Sequence, residues 1–307
     1  MRGFIFPGQG SQSVGMGRAL AEASREARAV FEEVDEALGQ NLARLMAEGP
    51  AEELTLTENA QPAIMANAVA TLRASGIDLA AKADFVAGHS LGEYSALCAA
   101  GTFDLSTTAR LLKQRGQAMQ AAVPVGEGAM AALLGADLAI AQAICDAAAE
   151  GEICTVANDN DPSQVVISGH RSAIERALEL AKEKGAKRAI LLPVSAPFHC
   201  PLMKPAAETM QQALAGAAME PQAVSLYANV TAAPVDSPDT IRELLVEQVT
   251  AMVRWRESVA NMAAAGVTHF VEFGGKVLAP MVKRIAPEAE VTSVLSMDDI
   301  DALVKAI

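Results

Sequence analysis

Gly88-His89-Ser90-Leu91-Gly92 carries the sharpest chemical signal in the chain. It fits G-x-S-x-G, follows the apolar run Asp84-Phe85-Val86-Ala87 and precedes a helical pattern, which is the setting a nucleophile elbow needs. A strand-to-helix turn this tight leaves no room for bulk, and the positions two residues either side of the serine are both glycine. The Ser90 hydroxyl then stands at a helix N-terminus, where free N–H groups and the macrodipole favour a developing oxyanion. The backbone N–H of Leu91 is the natural first donor to it. The competing reading is a Gly-rich turn with an ordinary N-cap serine, and the strand and helix on either side weigh against it.

A serine nucleophile needs a base. The four histidines are His89, His170, His199 and His269. His89 adjoins Ser90 but an elbow turns it elsewhere, so a structural role is expected. His170 falls in a loop, expected to be solvated, and His269 opens a strand with a plain hydrogen-bonding role. His199 lies in the stiff stretch Pro197-Phe198-His199-Cys200-Pro201, which can hold an imidazole in place. Elimination therefore makes His199 the candidate base. No acid stands in an obvious motif between Ser90 and His199, and His199 lies well before the C-terminus, unlike the order Ser, acid, His of ordinary α/β-hydrolases. A backbone carbonyl or an amide oxygen could hold the tautomer instead.

Two other glycine-rich stretches invite nucleotide readings and fail them. Phe6-Pro7-Gly8-Gln9-Gly10-Ser11-Gln12 lacks the third glycine of a dinucleotide fingerprint, and Gly274-Gly275-Lys276-Val277 lacks the frame of a P-loop. The first reads better as a second oxyanion loop beside the elbow.

These residues must be positioned by the elements around them. Strands are expected at residues 2–6, 84–87, 128–134, 153–157, 164–168, 188–192, 223–227, 269–273 and 291–295. Helices are expected at 16–38, 57–75, 91–100, 106–122, 137–150 and 171–184, with more between the last strands. The outer segments alternate strand and helix, the pattern of a parallel sheet covered by helices. The middle runs β-α-β-β-α-β, a ferredoxin-like order. The fold class is thus α/β: a hydrolase-like parallel-sheet domain, residues 1–125 and 194–307, with an inserted ferredoxin-like α+β subdomain at 126–193.

Composition narrows the function. The 307 residues are 51% hydrophobic and 20% charged, a globular balance. The net charge of −13 speaks against nucleic acid as a partner. The apolar start is too short for a secretory signal and no charge-free run spans a membrane, so a cytoplasmic, membrane-free protein is expected. Four scattered cysteines without CxxC spacing fit a reducing compartment and give no metal site. The sequon Asn229-Val230-Thr231 is then an accident of sequence.

Taken together the motifs resemble the malonyl-CoA:acyl carrier protein transacylases of fatty acid synthesis and, more loosely, the acyltransferase modules of polyketide synthases. The match runs from Phe6-Pro7-Gly8-Gln9-Gly10-Ser11-Gln12 through Gln61-Pro62-Ala63, Gly88 to Tyr94, Gln114-Arg115-Gly116, Asn160 to Gly169 and Phe198-His199 to Gln248 ahead of Trp255. The resemblance implies Ser90 as acyl-accepting nucleophile and His199 as base and acid, with the N–H groups of Gln9 and Leu91 as oxyanion hole. It further implies Arg115 as receptor for a malonyl carboxylate, Gln248 as the carbonyl that orients the histidine, and Asn160 near the bound acyl or CoA moiety. In the polyketide modules that the chain resembles, a Phe before this histidine, here Phe198, goes with malonyl rather than methylmalonyl choice, so the resemblance implies malonyl. On its own, Arg115 reads as a helix-surface residue beside Lys113, and Met119 one turn on as core.

The implied substrates are malonyl-CoA and holo acyl carrier protein; no cofactor is expected, since phosphopantetheine rides on the carrier. An acidic carrier needs a local basic patch, either Lys182, Lys184, Lys187 and Arg188 or Lys276, Lys283 and Arg284. The alternative is a serine thioesterase or esterase, which would share Ser90 and His199 but needs no buried cation. One departure stands out: Gly274-Gly275-Lys276-Val277-Leu278 is one residue shorter than the family's Gly-x-Gly-Lys-Val-Leu stretch.

Overall fold

The computed structural model describes residues 1–307. Its strands, in chain order, are β1 (Arg2–Phe6), β2 (Phe85–Gly88), β3 (Gly128–Leu134), β4 (Cys154–Asp161), β5 (Gln164–His170), β6 (Arg188–Leu191), β7 (Ser225–Tyr227), β8 (Pro234–Val235), β9 (His269–Phe273) and β10 (Glu290–Val294). Six of them form one sheet in the order β10-β9-β1-β2-β7-β8, parallel except for β8. The central strands Phe4–Phe6 and Val86–Gly88 are apolar and buried, as strands covered on both faces must be. Phe6 pairs with Gly88, so β1 and β2 end level. The loop after β1 and the elbow after β2 therefore emerge side by side at the carboxyl edge of the sheet, where open α/β sheets carry their sites.

On one face of this sheet lies the helix Thr57–Ser75, with Arg25–Leu38 and Leu105–Ala121 packed on it from outside. Thr57–Ser75 is buried on almost every side, consistent with its Ala-rich, uncharged middle. The opposite face packs against Trp255, Val259 and Met262 of the helix Trp255–Ala264.

The other four strands form an antiparallel sheet in the order β4-β5-β3-β6. With the helices Leu138–Ala149 and Arg171–Leu180 this is the ferredoxin-like arrangement. Alternation along β3 sorts its side chains: Ala129, Ala131 and Leu133 join a core with those two helices, while Met130 and Ala132 face the main core. β4 is tied to the larger sheet's side by backbone and charge. The Asp159 N–H donates to the Val253 carbonyl at 3.0 Å, and the Val253 N–H to Ala157 at 2.9 Å. The buried carboxylates of Asp159 and Asp161 take Arg256 at 2.8 Å and Arg284 at 2.7 Å.

Four expectations shift at the edges. The single helix expected over 16–38 is two, Arg18–Ala23 and Arg25–Leu38, because Ser24 is extended and its Oγ caps the Ala27 N–H at 3.2 Å. The helix expected to reach residue 184 ends at Leu180, ahead of a turn whose Gly185 has φ +109°. β4 runs on to Asp161, since each polar side chain there finds a partner or the site cavity. His170 is not solvated: half-buried at the end of β5, its Nδ1 accepts the Ile153 N–H at 2.9 Å.

The elbow leaves no tolerance for a side chain at its glycines. A Cβ at Gly88 would lie 1.9 Å from the Gly92 carbonyl, and one at Gly92 would lie 2.3 Å from the Phe6 carbonyl oxygen. Gly88→Ala is therefore expected to cost ~2–3 kcal/mol or more through forced backbone movement. Thermal unfolding checks this; a melting temperature equal to the parent's would mean the turn can relax.

Candidate active site

At the carboxyl end of β2 the chain reverses through Ser90, whose φ is +55°. A non-glycine residue there costs roughly 1–3 kcal/mol and persists only if neighbours hold it. Asn229, just after β7, does so: its Oδ1 accepts the Ser90 N–H at 2.8 Å and its Nδ2 donates to the Gly88 carbonyl at 2.7 Å. The strained turn directs Ser90 Oγ to His199 Nε2, 2.7 Å away. His199 also sits at φ +55°, in the rigid loop that follows β6.

The tautomer follows from the other ring nitrogen. His199 Nδ1 lies 2.9 Å from the Gln248 main-chain carbonyl, which can only accept, so Nδ1 carries the proton. Nε2 is left with a lone pair toward the Ser90 hydroxyl. Burial, and then the Arg115 charge, push the His199 pKa down to about 3, against the opposing pull of the Gln248 carbonyl. The imidazole is a neutral base throughout the ordinary pH range.

Arg115 is not on the surface. It is 1% exposed, because the helix Leu105–Ala121 turns it inward toward Ser90. Nη1 donates to Gln61 Oε1 and Nη2 to Gln248 Oε1, both at 2.8 Å, and Nη2 stands 3.3 Å from Ser90 Oγ. The Tyr94 ring lies 5.7 Å from the guanidinium carbon. Gln248 joins the parts: its carbonyl holds His199, its Oε1 holds Arg115, and its Nε2 donates to the Ser90 carbonyl at 3.0 Å and to Glu93 Oε2 at 2.9 Å.

These groups open on a cavity of about 290 Å³. Gln9, Leu91 and Phe198 also line it, as does Met119, which is at once part of the core and of the cavity wall. The N–H groups of Gln9 and Leu91 are engaged by no other group of the chain. The loop carrying Gln9 is braced by Ser11 Oγ on the Gly8 carbonyl at 2.8 Å and by Gly10 N–H on Gln12 Oε1 at 2.8 Å. Asn160 stands behind the wall: its Oδ1 meets His89 Nε2 at 2.8 Å, and Asn158 is the asparagine of this strand that lines the cavity. The shortened Gly274-Gly275 turn is held by Glu272, whose carboxylate accepts the N–H groups of Val277, Leu278 and Ala279. Arg284 is committed to Asp161 and Lys283 to the Ala289 carbonyl, whereas Lys276 is exposed.

Three site residues escaped sequence reasoning as carriers of a role. Asn229 is 139 residues from its partner Ser90, and only its sequon drew notice. Gln61 lay in a recognised motif without an assigned task. Glu93, within the elbow's own helix, is the one carboxylate that Gln248 contacts, and burial raises it to about 7.

Comparison with known proteins places relatives beside this geometry. A family model described as an acyl transferase domain matches residues 3–282. The chain is 45% identical to a malonyl CoA-acyl carrier protein transacylase of Bacillus subtilis (strain 168), over 99% of this chain and 96% of that protein. It superposes on the crystal structure of an acyl-carrier-protein-S-malonyltransferase from Bartonella henselae with a TM-score of 0.97 at 51% identity, covering 99% and 98% of the two chains. It is also similar to the structure of a holo type II PKS acyl-carrier protein in complex with its malonyl-transacylase, with a TM-score of 0.95, 38% identity and 100% and 99% coverage.

A neutral, buried His199 sets a pH signature. An uncharged fluorophosphonate should esterify Ser90 and leave Ser90→Ala unlabelled. The rate should stay flat from about pH 5 to about pH 8 and fall only toward the depressed histidine value. A midpoint near the ordinary histidine range would show that the imidazole titrates as though in water.

Proposed function

We infer that this chain, which belongs to the malonyl CoA-acyl carrier protein transacylases of the acyl transferase family, moves a malonyl group from malonyl-CoA to the phosphopantetheine thiol of an acyl carrier protein through a malonyl-serine. The observation that carries the reading is a buried guanidinium beside the nucleophile, with Arg115 Nη2 at 3.3 Å from Ser90 Oγ. A malonyl thioester has its reacting carbonyl and its free carboxylate only two bonds apart at the α-carbon. Ser90 and Arg115 are spaced to meet both ends at once.

The cycle is two mirrored acyl transfers. His199 Nε2 takes the Ser90 proton as Oγ attacks the thioester carbon. The carbonyl electrons move onto oxygen, which the N–H groups of Gln9 and Leu91 receive. The tetrahedral adduct collapses with loss of CoA thiolate, and the imidazolium returns the proton to that sulfur. His199 then takes the proton of the carrier's thiol, the thiolate attacks the serine ester, and Ser90 leaves with the proton. Every oxidation state is unchanged and the thioester is already activated, so we assign the chemistry to these side chains without a resident cofactor.

Specificity comes from fit at both ends of malonate. Arg115 can hold the carboxylate with two N–H groups, which a lysine cannot reproduce. Phe198 limits space at the α-carbon, and Asn160 acts at one remove by fixing His89. Residues 1–125 and 194–307 form the catalytic domain in this reading, and 126–193 the cover. We place the reaction in the cytoplasm; the four cysteines, all unpaired and buried, suit a reducing compartment. For the acidic carrier, Lys276 is the basic residue of choice. It follows Gly275, which packs on Pro7 of the oxyanion loop, and it is exposed.

Three measurements test this. Incubated with malonyl-CoA alone, the protein should gain one malonyl group in intact mass, absent in Ser90→Ala and discharged by holo carrier; free malonate without an adduct would mean a hydrolase. Arg115→Lys should lower kcat/KM for malonyl-CoA by about 100-fold while leaving acetyl-CoA far less affected. An equal loss with both substrates would make Arg115 structural. Lys276→Glu should slow transfer to the carrier by about 3–10-fold at low salt. Unchanged transfer and unchanged salt dependence would remove Lys276 from the docking face.

A further inference from the structure

The site holds one buried carboxylate that the transfer cycle does not use. Glu93 is 1% exposed, on the first turn of the helix Gly92–Ala99. Its Oε2 accepts the Gln248 Nε2–H at 2.9 Å and the Asn229 N–H at 3.0 Å. It does not touch Arg115. Gln248 stands between them, donating to Glu93 and accepting from Arg115 through the two ends of one amide. The same residue's carbonyl holds His199.

Resting on the malonyl-transfer reading, we propose that Glu93 is the counter-charge and positioning residue of Arg115, and that it takes up a proton from solvent when the malonyl carboxylate binds.

The argument is a charge count in a water-poor site. When the site is empty and the pH lies above about 7, Arg115 is positive, Glu93 mostly negative and His199 neutral, so the charges balance across the Gln248 bridge. A malonyl carboxylate on Arg115 adds a buried negative charge with no partner left for Glu93. One proton restores the balance, and the groups around Glu93 leave one place for it. From its own helix, Tyr94 is already protonated, its pKa raised to about 12 by burial. From the helix Leu105–Ala121, Arg115 is always charged. From the loop after β6, His199 must stay neutral to act as base. His89, at the elbow, is held below its ordinary range by burial. Gln248 and Asn229 do not titrate. Glu93 itself is raised by burial to about 7, so protonating it costs little at neutral pH. Both of its hydrogen bonds go to Oε2, so Oε1 can carry the proton without breaking either. The relay then keeps its shape: Gln248 still holds Arg115 and His199 whether Glu93 is charged or not.

The sign follows directly. Malonyl-CoA prefers the enzyme with protonated Glu93, so kcat/KM should fall as pH rises above about 7, by on the order of tenfold over the next two units. Glu93→Gln, which mimics the protonated carboxyl, should remove that fall and place the change in KM rather than kcat. Glu93→Ala, which cannot accept from Gln248, should not reproduce the glutamine variant's profile. The wild-type protein gives a second test that needs no variant. Mixed with excess malonyl-CoA in weakly buffered indicator solution near pH 7.5, formation of the malonyl-enzyme should consume a large fraction of one proton per malonyl group. Absence of proton uptake, or an identical pH profile in Glu93→Gln, overturns the proposal while malonyl transfer stands. Failure to form a malonyl-enzyme at all would instead overturn the functional reading beneath it.

Discussion

A guanidinium buried with no carboxylate in contact is the constraint around which this site is arranged. Taking such a charge out of water costs several kcal/mol unless hydrogen bonds and an opposite charge offset it. The chain supplies neutral acceptors at close range, Gln61 and Gln248, and keeps its acid one residue further away. A direct Arg115–Glu93 pair would satisfy the cation fully and leave it nothing to gain from a substrate. Oxygens that bear no charge stabilise it enough to fold and leave it able to receive a carboxylate. The proposed oxyanion donors follow the same logic, since the N–H groups of Gln9 and Leu91 are engaged by no other group of the chain.

Two strained residues stand at the centre of the proposed chemistry. Ser90 and His199 both sit at φ +55°, which neither favours on its own. Each is held by a side chain or carbonyl distant in sequence, Asn229 for the serine and Gln248 for the histidine. A carbonyl in place of the usual carboxylate fixes the histidine tautomer without adding a negative charge beside the imidazole. A carboxylate there would compete with the substrate for Arg115. The missing acid and the buried arginine are therefore one design.

Much of this was legible in the sequence, for physical reasons. The strands at 2–6, 128–134 and 269–273 and the helix at 57–75 have the expected limits because each is a local run of mostly apolar or small residues that stays buried along nearly its whole length. The elbow was legible because tight turns demand glycine at fixed offsets, and the parallel sheet because strand–helix alternation admits few topologies. What could not be read were pairings across the chain. Arg115 reads as a surface residue because Lys113 is nearby and arginines are commonly exposed, and only packing against Ser90 and Gln248 shows which side faces in. Glu93 carries no local sign of its role, because nothing in the sequence says that Gly92–Ala99 is buried almost all round. The break at Ser24 turned on one extended residue that a periodicity window averages away.

The placement of the second sheet completes the physical account. β4 carries Asn158, Asp159, Asn160 and Asp161 in a row, all buried, a pattern no free-standing strand would tolerate. Each is used: Asn158 at the cavity, Asp159 on Arg256, Asn160 on His89, and Asp161 on Arg284. Alternate residues of a strand point to opposite faces, so this row reaches both the site wall and the helices beyond it. An edge strand that spends its polar side chains this way is fixed in position relative to the elbow. Met130, Leu192 and Val194 line the same cavity as Ser90 and present apolar side chains to it. An acyl-serine that must outlast the exchange of one thiol for another needs surroundings poor in water. The buried polar row on β4 thus fixes one wall of that cavity relative to the elbow.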